Sequence, residues 1–348
     1  MAALRGPRRE SGRRVVEPRR ARQAARPVRR DHRRVRVPRA RVARAGAHGR
    51  PAPDHAELRD PADRQGGDHA DRGPVNRPGR EPDDWDDPAL AEAYAEIVGR
   101  GVVYRALAEA AVEALDPAPG ATVLDLAAGT GVVTGLLLAR VGRHGRVAAL
   151  DRARAMLAVL AAHHPVGNVG PIVADPAALP LARRSLDGAV CSAAFWHFPA
   201  LARTFAGLAR ALRPGARLVV NVPAAQLDDV DDLPPPPLML ALEREGRRRF
   251  GGAPEPAGPV LSRARLSALA GEAGFAGETV RVVEPRPSQH ELARLAELPA
   301  FSARLWPGRP ERERTAVVRA ALAAVEPELR APVRWLVLSW MTPPAVDA

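Results

Sequence analysis

The chain predicts an α/β fold, a doubly wound and mostly parallel sheet with helices on both faces, and three observations carry that expectation. Short apolar runs alternate with stretches of helical period between 121 and 222. A glycine-containing loop joins the first of those runs directly to a helix. The segment 1–80 has no apolar periodicity, so the folding part begins after it.

Taken in order, Asp86 or Asp87 can cap a first helix, with Pro88 in its opening turn. Residues 89–99 and 102–115 read as two helices or one broken helix, with Tyr94, Ile97, Leu107, Ala111 and Leu115 on the apolar face. Pro117-Ala118-Pro119-Gly120 is a turn. Strands are expected at 121–126, 146–150, 169–173, 186–192 and 217–222. Helices are expected at 131–141, 153–163 and 201–212, and Pro214-Gly215 reads as a turn before the last of those strands. This spacing implies βαβ units with right-handed crossovers.

The remainder is less regular. Residues 227–237 are acidic and then proline-rich, a loop or lid. Helices follow at 238–250 and at 262–273, the latter ended by Gly274. A strand at 278–284, two helices at 289–301 and 310–325, and a terminal strand at 333–341 complete the pattern.

Charge is unevenly distributed. Residues 1–80 carry 23 Arg and 9 acidic residues, net +14, whereas residues 81–348 are net −2, so the overall +12 belongs to the first segment. That segment cannot bury enough apolar area to offset its ordering entropy and is expected to be disordered. It reads as an extension from an upstream start site, as a solvated tail, or as a tail making non-specific contacts with nucleic acid or anionic surfaces. No Phe, Tyr or Trp precedes Trp85, which weighs against the last. The chain holds no lysine, so Arg carries all the fixed basic charge. One cysteine, Cys191, excludes an intramolecular disulfide framework and a cysteine-rich zinc site, reads as a small core residue, and fits a reducing cytoplasm. No metal site is expected. No run approaches the roughly 20 apolar residues of a membrane span, and the N-terminus lacks the apolar stretch of a secretory signal.

The first strand runs into Asp125-Leu126-Ala127-Ala128-Gly129-Thr130-Gly131, and a helix follows at once. Glycines there let the backbone turn tightly and approach a ligand without a Cβ in the way. Alone, the loop fits a dinucleotide, a methyl donor, or no ligand. Thr134 stands where the third dinucleotide glycine belongs. Asp125 would repel a pyrophosphate and welcome an ammonium group. Asp151, after the second strand, can accept hydrogen bonds from a ribose diol.

These segments resemble class I S-adenosylmethionine-dependent methyltransferases, in the form of the menaquinone/ubiquinone-biosynthesis (methyltransferase type 11) group. The run 125–131 is similar to the family's first motif. Asp151 with Met156-Leu157, the run Ala174-Asp175-Pro176-Ala177-Ala178-Leu179-Pro180, the strand around 185–192 and Leu212-Arg213-Pro214-Gly215 resemble later motifs in order. The resemblance covers 85–222 well and 262–341 loosely. It implies a Rossmann-like seven-stranded sheet, mostly parallel with the last strand antiparallel, and a helical cap. It further implies S-adenosylmethionine as methyl donor. Gly129 and Gly131, with Ala127 in place of a commoner glycine, would pass under the methionine part; Asp125 would help hold its amino group. Asp151 would hold the ribose, Asp175 the adenine amino group, Met156 would line the site, and Tyr94 would close over the donor or simply pack its helix.

The domain organisation expected is a disordered extension at 1–80 and one methyltransferase domain at 81–348. Its donor-binding core is 115–222, with lid and acceptor-side elements at 223–260 and 286–331. Methyl transfer needs alignment above all, and a base only where the acceptor must lose a proton. His197, just past the fourth strand, is the candidate base; its plainer reading is a turn cap or a partner for Trp196. His163 and His164 end a helix, where cations are favoured. Tyr104, Phe250, Phe301, Trp306 and Trp335 supply aromatic surface for an acceptor or for the core, and Asp228, Asp229, Asp231 and Asp232 read as a solvated loop rather than a cation site. The expected acceptor is a small molecule. The competing readings are an RNA or protein methyltransferase, the RNA reading being disfavoured by the net charge of the folding part, and a non-catalytic or nicotinamide-binding domain on the same fold.

Overall fold

The structure, a computed structural model, describes residues 85–165, 167–255 and 261–345. The expected disordered extension lies outside them. Seven strands form one sheet in the order β3-β2-β1-β4-β5-β7-β6, with β1 Thr122–Leu126, β2 Arg146–Asp151, β3 Val169–Val173, β4 Leu186–Cys191, β5 Leu212–Pro223, β6 Ala276–Val283 and β7 Trp335–Met341. β1 to β5 pair in parallel, and β7 runs antiparallel to both β5 and β6. Strand order reverses between β1 and β4, which opens a crevice above their C-terminal ends.

Alternation along the strands builds two cores. Leu124, Leu126, Leu218 and Val220 face a layer with Phe205, Leu266 and Trp340. Val123, Val190, Val219 and Val337 face the other way, onto Ala111, Val133 and Leu137. Helices α3 Val132–Val141 and α2 Val102–Leu115 cover the second face, and α5 Leu201–Ala211 and α7 Arg263–Glu272 cover the first.

α1, Pro88–Arg100, starts as its sequence directs: Asp87 Oδ1 accepts from the Ala89 amide at 3.0 Å and Pro88 needs no partner for an absent N–H. α2 has Gly101 before it and so no side-chain cap of its own. A carboxylate from far along the chain supplies one, because Glu291 Oε1 accepts from the amides of Val102 at 2.6 Å and Val103 at 3.4 Å.

Two expectations need correction. The turn at Pro214-Gly215 is not a separate connection. β5 already pairs at Leu212 with Leu186, then bulges before resuming at Arg217 with Gly188. The helix expected at 289–301 is two, α8 Gln289–Glu297 and α9 Pro299–Leu305. Leu298 is extended, φ −58° and ψ 132°, as steric contact with the Pro299 ring requires. Helices α6 Pro237–Phe250, α8, α9 and α10 Glu311–Ala323 share a core of Leu238, Leu242, Trp306 and Val318. Arg314 is buried there and donates to Ser302 Oγ at 3.1 Å and to the Arg309 carbonyl. Of the loop acids, Asp229 caps α7, accepting from the amides of Arg263 at 2.7 Å and Ala264 at 2.9 Å. Among the described residues no helix is long and apolar enough to cross a membrane.

Candidate active site

A cavity of about 770 Å³ sits at the C-terminal ends of β1, β2 and β4, at the point where strand order reverses. Seven segments line it. The loop after β1 contributes Ala127 and Gly129, the end of β2 contributes Asp151 and Arg152, and α4 (Arg154–His163) contributes Met156. Asp175 comes from beyond β3, Ser192–Ala194 and Trp196–Pro199 from beyond β4, and Trp85, Tyr94 and Tyr104 from the first helical region. Phe301 and Arg304 come from α9. A larger open groove of about 1020 Å³ lies at the other edge of the sheet, beside Gly142, Arg146 and Asn168, away from the crevice.

The loop after β1 is tightly wound. Ala127, Gly129 and Gly131 have φ of 58°, 52° and 94°. The Ala128 amide donates to the Leu150 carbonyl at 3.0 Å, and the Gly129 amide donates to Asp151 Oδ2 at 2.9 Å. A Cβ on Gly129 would stand 3.9 Å from the Tyr94 ring, so that ring lies over the glycine. Gly131 faces the other way. A Cβ there would come within 2.9 Å of Leu160 and 3.0 Å of the His164 ring, whose Nε2 is 3.1 Å from the Gly131 carbonyl oxygen.

Of the residues singled out in the sequence, Ala127, Gly129, Asp151, Met156, Asp175, Tyr94 and His197 meet in this one cavity; Asp125 and Gly131 are not among its lining. Asp125 is buried beneath it and accepts from Thr134 Oγ1 at 2.6 Å. Burial pushes its carboxyl up to about 7, against the Thr134 hydrogen bond and with the help of nearby Asp151. Asp151 is likewise pushed up by burial, opposed by the amides of Ala153, 2.9 Å from its Oδ1, and of Gly129. Asp175 Oδ1 accepts from the Ala177 amide at 2.8 Å.

The aromatic wall is a set of edge-on contacts. Tyr94 meets Trp85 at 5.3 Å and Tyr104 at 5.9 Å between ring centroids, and Trp85 meets Phe301 at 5.7 Å. Burial, and then the hydroxyl contact with Tyr104, pushes the Tyr94 phenol well above its usual range; burial takes Tyr104 up to about 12. Both are neutral phenols at physiological pH. Phe250, Trp306 and Trp335 are not in the lining: Phe250 packs on Trp306, and Trp335 on Trp196.

His197 ends a short 3-10 turn, Phe195–His197. Arg304 Nη1 lies 3.0 Å from its Nε2 and 3.4 Å from its Nδ1, so the imidazole accepts from the guanidinium. Burial, then Arg304 and Arg152, pull the ring down to about 3. An imidazole so placed is neutral and a weak proton acceptor near pH 7. Sequence pattern does not mark Trp85, Arg152 or Arg304 as site residues, yet all three line the cavity. Arg304 carries no local signal, since its place depends on tertiary packing that brings α9 to the turn after β4. Trp85 stands at the start of the ordered pattern, and its lone aromatic ring was the available clue.

Residues 123–215 match a family model described as a methyltransferase domain. Over 113 residues the chain is 42% identical to a malonyl-[acyl-carrier protein] O-methyltransferase of Methylococcus capsulatus, which is 32% of this chain and 40% of that protein. Over 113 residues it is 35% identical to a 2-phytyl-1,4-naphtoquinone methyltransferase of Thermosynechococcus vestitus, 32% of this chain and 49% of that protein. An O-methyltransferase of Penicillium expansum is 29% identical over 222 residues, 63% of this chain and 72% of the relative. The chain thus spans less than half the length of the first two of these relatives. With the motif order, the strand order and these matches together, the domain at 123–215 belongs to the class I S-adenosylmethionine-dependent methyltransferases.

Proposed function

We propose that the protein transfers a methyl group from S-adenosylmethionine to a small-molecule acceptor. The observation that carries this is the convergence of the glycine loop, Asp151, Met156 and Asp175 from four separate segments on one cavity. Their chemistry fits the donor. The backbone at Gly129 leaves room that a side chain would take, and each Asp151 oxygen keeps a lone pair after accepting from its amide. In this reading Asp151 holds the ribose hydroxyls, Asp175 the adenine amino group, and Ala127 and Gly129 the methionine part. Asp125 acts from below the loop, Gly131 sets the loop's exit into α3, and Tyr94 covers the donor beside Gly129. The whole of 81–348 then works as one methyltransferase domain, with 115–222 as donor core and 223–260 and 286–331 on the acceptor side.

When bound, S-adenosylmethionine would supply an electrophilic methyl on a sulfonium, which the acceptor takes in line as the methyl–sulfur bond breaks and S-adenosylhomocysteine leaves. The chain's own task is alignment and exclusion of water. The packed rings of Trp85, Tyr94, Tyr104 and Phe301 wall the cavity for that purpose. His197 accepts from Arg304 and so orients the guanidinium rather than removing a proton. Relatives named for malonyl-[acyl-carrier protein] and for a phytyl naphthoquinone support a small organic acceptor group, free or carrier-bound, and the net charge of −2 over 81–348 disfavours a nucleic acid.

The test is label transfer. The protein is incubated with methyl-labelled S-adenosylmethionine and an extract of the cells that make it, separated into small-molecule, RNA and protein fractions. Label is expected in the small-molecule fraction. Label confined to RNA, or to protein in a form that thioester cleavage does not release, would overturn the acceptor class.

A further inference from the structure

The buried stretch of β5, Leu218-Val219-Val220-Asn221-Val222, contains one polar residue that packing does not require. Asn221 is fully buried and shares a face with Val219, beneath α2. It is also fully engaged. Its Oδ1 accepts from the Ala193 amide at 2.7 Å and from Ser192 Oγ at 3.3 Å. Its Nδ2 donates to Ser192 Oγ at 3.0 Å and to the Leu107 carbonyl at 3.3 Å.

Both groups it grips belong to the cavity's frame. Ser192 and Ala193 line the cavity. Ala193 does so with φ +56°, a left-handed conformation that a residue with a Cβ rarely adopts unless its surroundings hold it there. Leu107 stands nearly one helical turn after Tyr104, another lining residue, on α2. Asn221 itself is not in the lining. We propose that Asn221 is a positioning residue: it holds Ser192-Ala193 in the left-handed turn that shapes the wall after β4, and it ties that wall to the helix carrying Tyr104.

Two readouts on the full chain test this, and only the second rests on the methyl-donor reading. The first is amide hydrogen exchange of the peptide covering 192–199. The second is calorimetry with S-adenosylhomocysteine as probe. Asn221→Ala should speed exchange at 192–199 by about tenfold or more, the scale of one lost buried hydrogen bond, and weaken the probe by about as much. Adding Ala193→Gly should restore probe affinity, because glycine adopts positive φ unaided, while the lost thermal stability stays lost. An asparagine that merely filled the core would show no such rescue. Unchanged exchange in Asn221→Ala, or no rescue by Ala193→Gly, overturns the proposal. Asn221→Asp keeps the acceptor for the Ala193 amide but loses the donor to the Leu107 carbonyl, so exchange should rise more around 107 than at 192–199; a larger rise at 192–199 than around 107 overturns the proposal even if the alanine variant does not fold. Failure of the wild type to bind the probe would instead strike the donor reading, and the exchange arm would still decide the role of Asn221.

Discussion

The Gly129 amide donates to Asp151 Oδ2 across 2.9 Å, so the loop after β1 and the acid that ends β2 form one unit. The other oxygen of the same carboxylate accepts from the Ala153 amide at the start of α4. Any ligand held by Asp151 therefore reads the position of the loop as well.

That coupling sets the outcome at Asp151. Asp151→Ala removes the acceptor for two backbone donors and, on the proposed reading, for the ribose as well. Affinity for S-adenosylhomocysteine should fall by about tenfold to a hundredfold, and Tm should fall with it. Asp151→Asn keeps an acceptor for one amide and should lose affinity with a smaller change in Tm. Calorimetry and thermal unfolding on both variants check this, and equal losses in the two would contradict the coupling.

The two loop glycines should fail in different ways. Gly131→Ala places a Cβ 2.9 Å from Leu160 and 3.0 Å from His164 at φ +94°, so it adds a clash to backbone strain. It should cost about 2 kcal/mol or more of stability although it does not face the cavity. Gly129→Ala meets only an ordinary 3.9 Å contact with Tyr94 and should cost about 1 kcal/mol, while the added methyl weakens donor binding. Urea unfolding separates the first effect, and ligand calorimetry the second.

Asp125 should give stability a pH dependence. Its folded value near 7 lies above the ordinary carboxyl value, so between about pH 4 and 7 the folded state holds a proton that the unfolded chain has released. Its contribution is full in acid, declines as pH rises through that window, and is flat above it. Asp125→Asn should remove this slope. Urea midpoints of wild type and variant across pH 4 to 8 should therefore diverge with rising pH, the variant gaining on the wild type; parallel curves would contradict a raised Asp125.

His197 should be silent near neutrality. With its ring held down to about 3, its NMR signals should not titrate between pH 5 and 8. Burial is the larger cause and the Arg304 guanidinium the next, so Arg304→Gln should move the midpoint upward without restoring the ordinary value. A wild-type midpoint near 6.5 would return His197 to the role of candidate base.

Much of this was legible in sequence because it is local. The alternation of 121–222 forms the expected strands, and the acids at 125, 151 and 175 each end or follow one. What escaped was tertiary. Arg213-Pro214-Gly215 reads as a turn, and a bulge uses the same residues, so only the pairing of Leu212 with Leu186 tells them apart. The apolar period of Leu292 and Leu295 runs on to Phe301, which hides the break that Pro299 imposes. Arg304 and the Glu291 cap of α2 act across more than a hundred residues, beyond any local pattern. Asn221 was visible as one amide in an apolar run, but its purpose depends on Ala193 and Leu107 in other elements.

The central claim is that the cavity above β1, β2 and β4 takes a sulfonium methyl donor. Calorimetric titration of the full chain with S-adenosylmethionine, S-adenosylhomocysteine and NAD tests it most directly. Saturable binding of both sulfur ligands, lost in Asp151→Ala, with no response to NAD, is the expected result. Tight binding of NAD with no response to either sulfur ligand would contradict it.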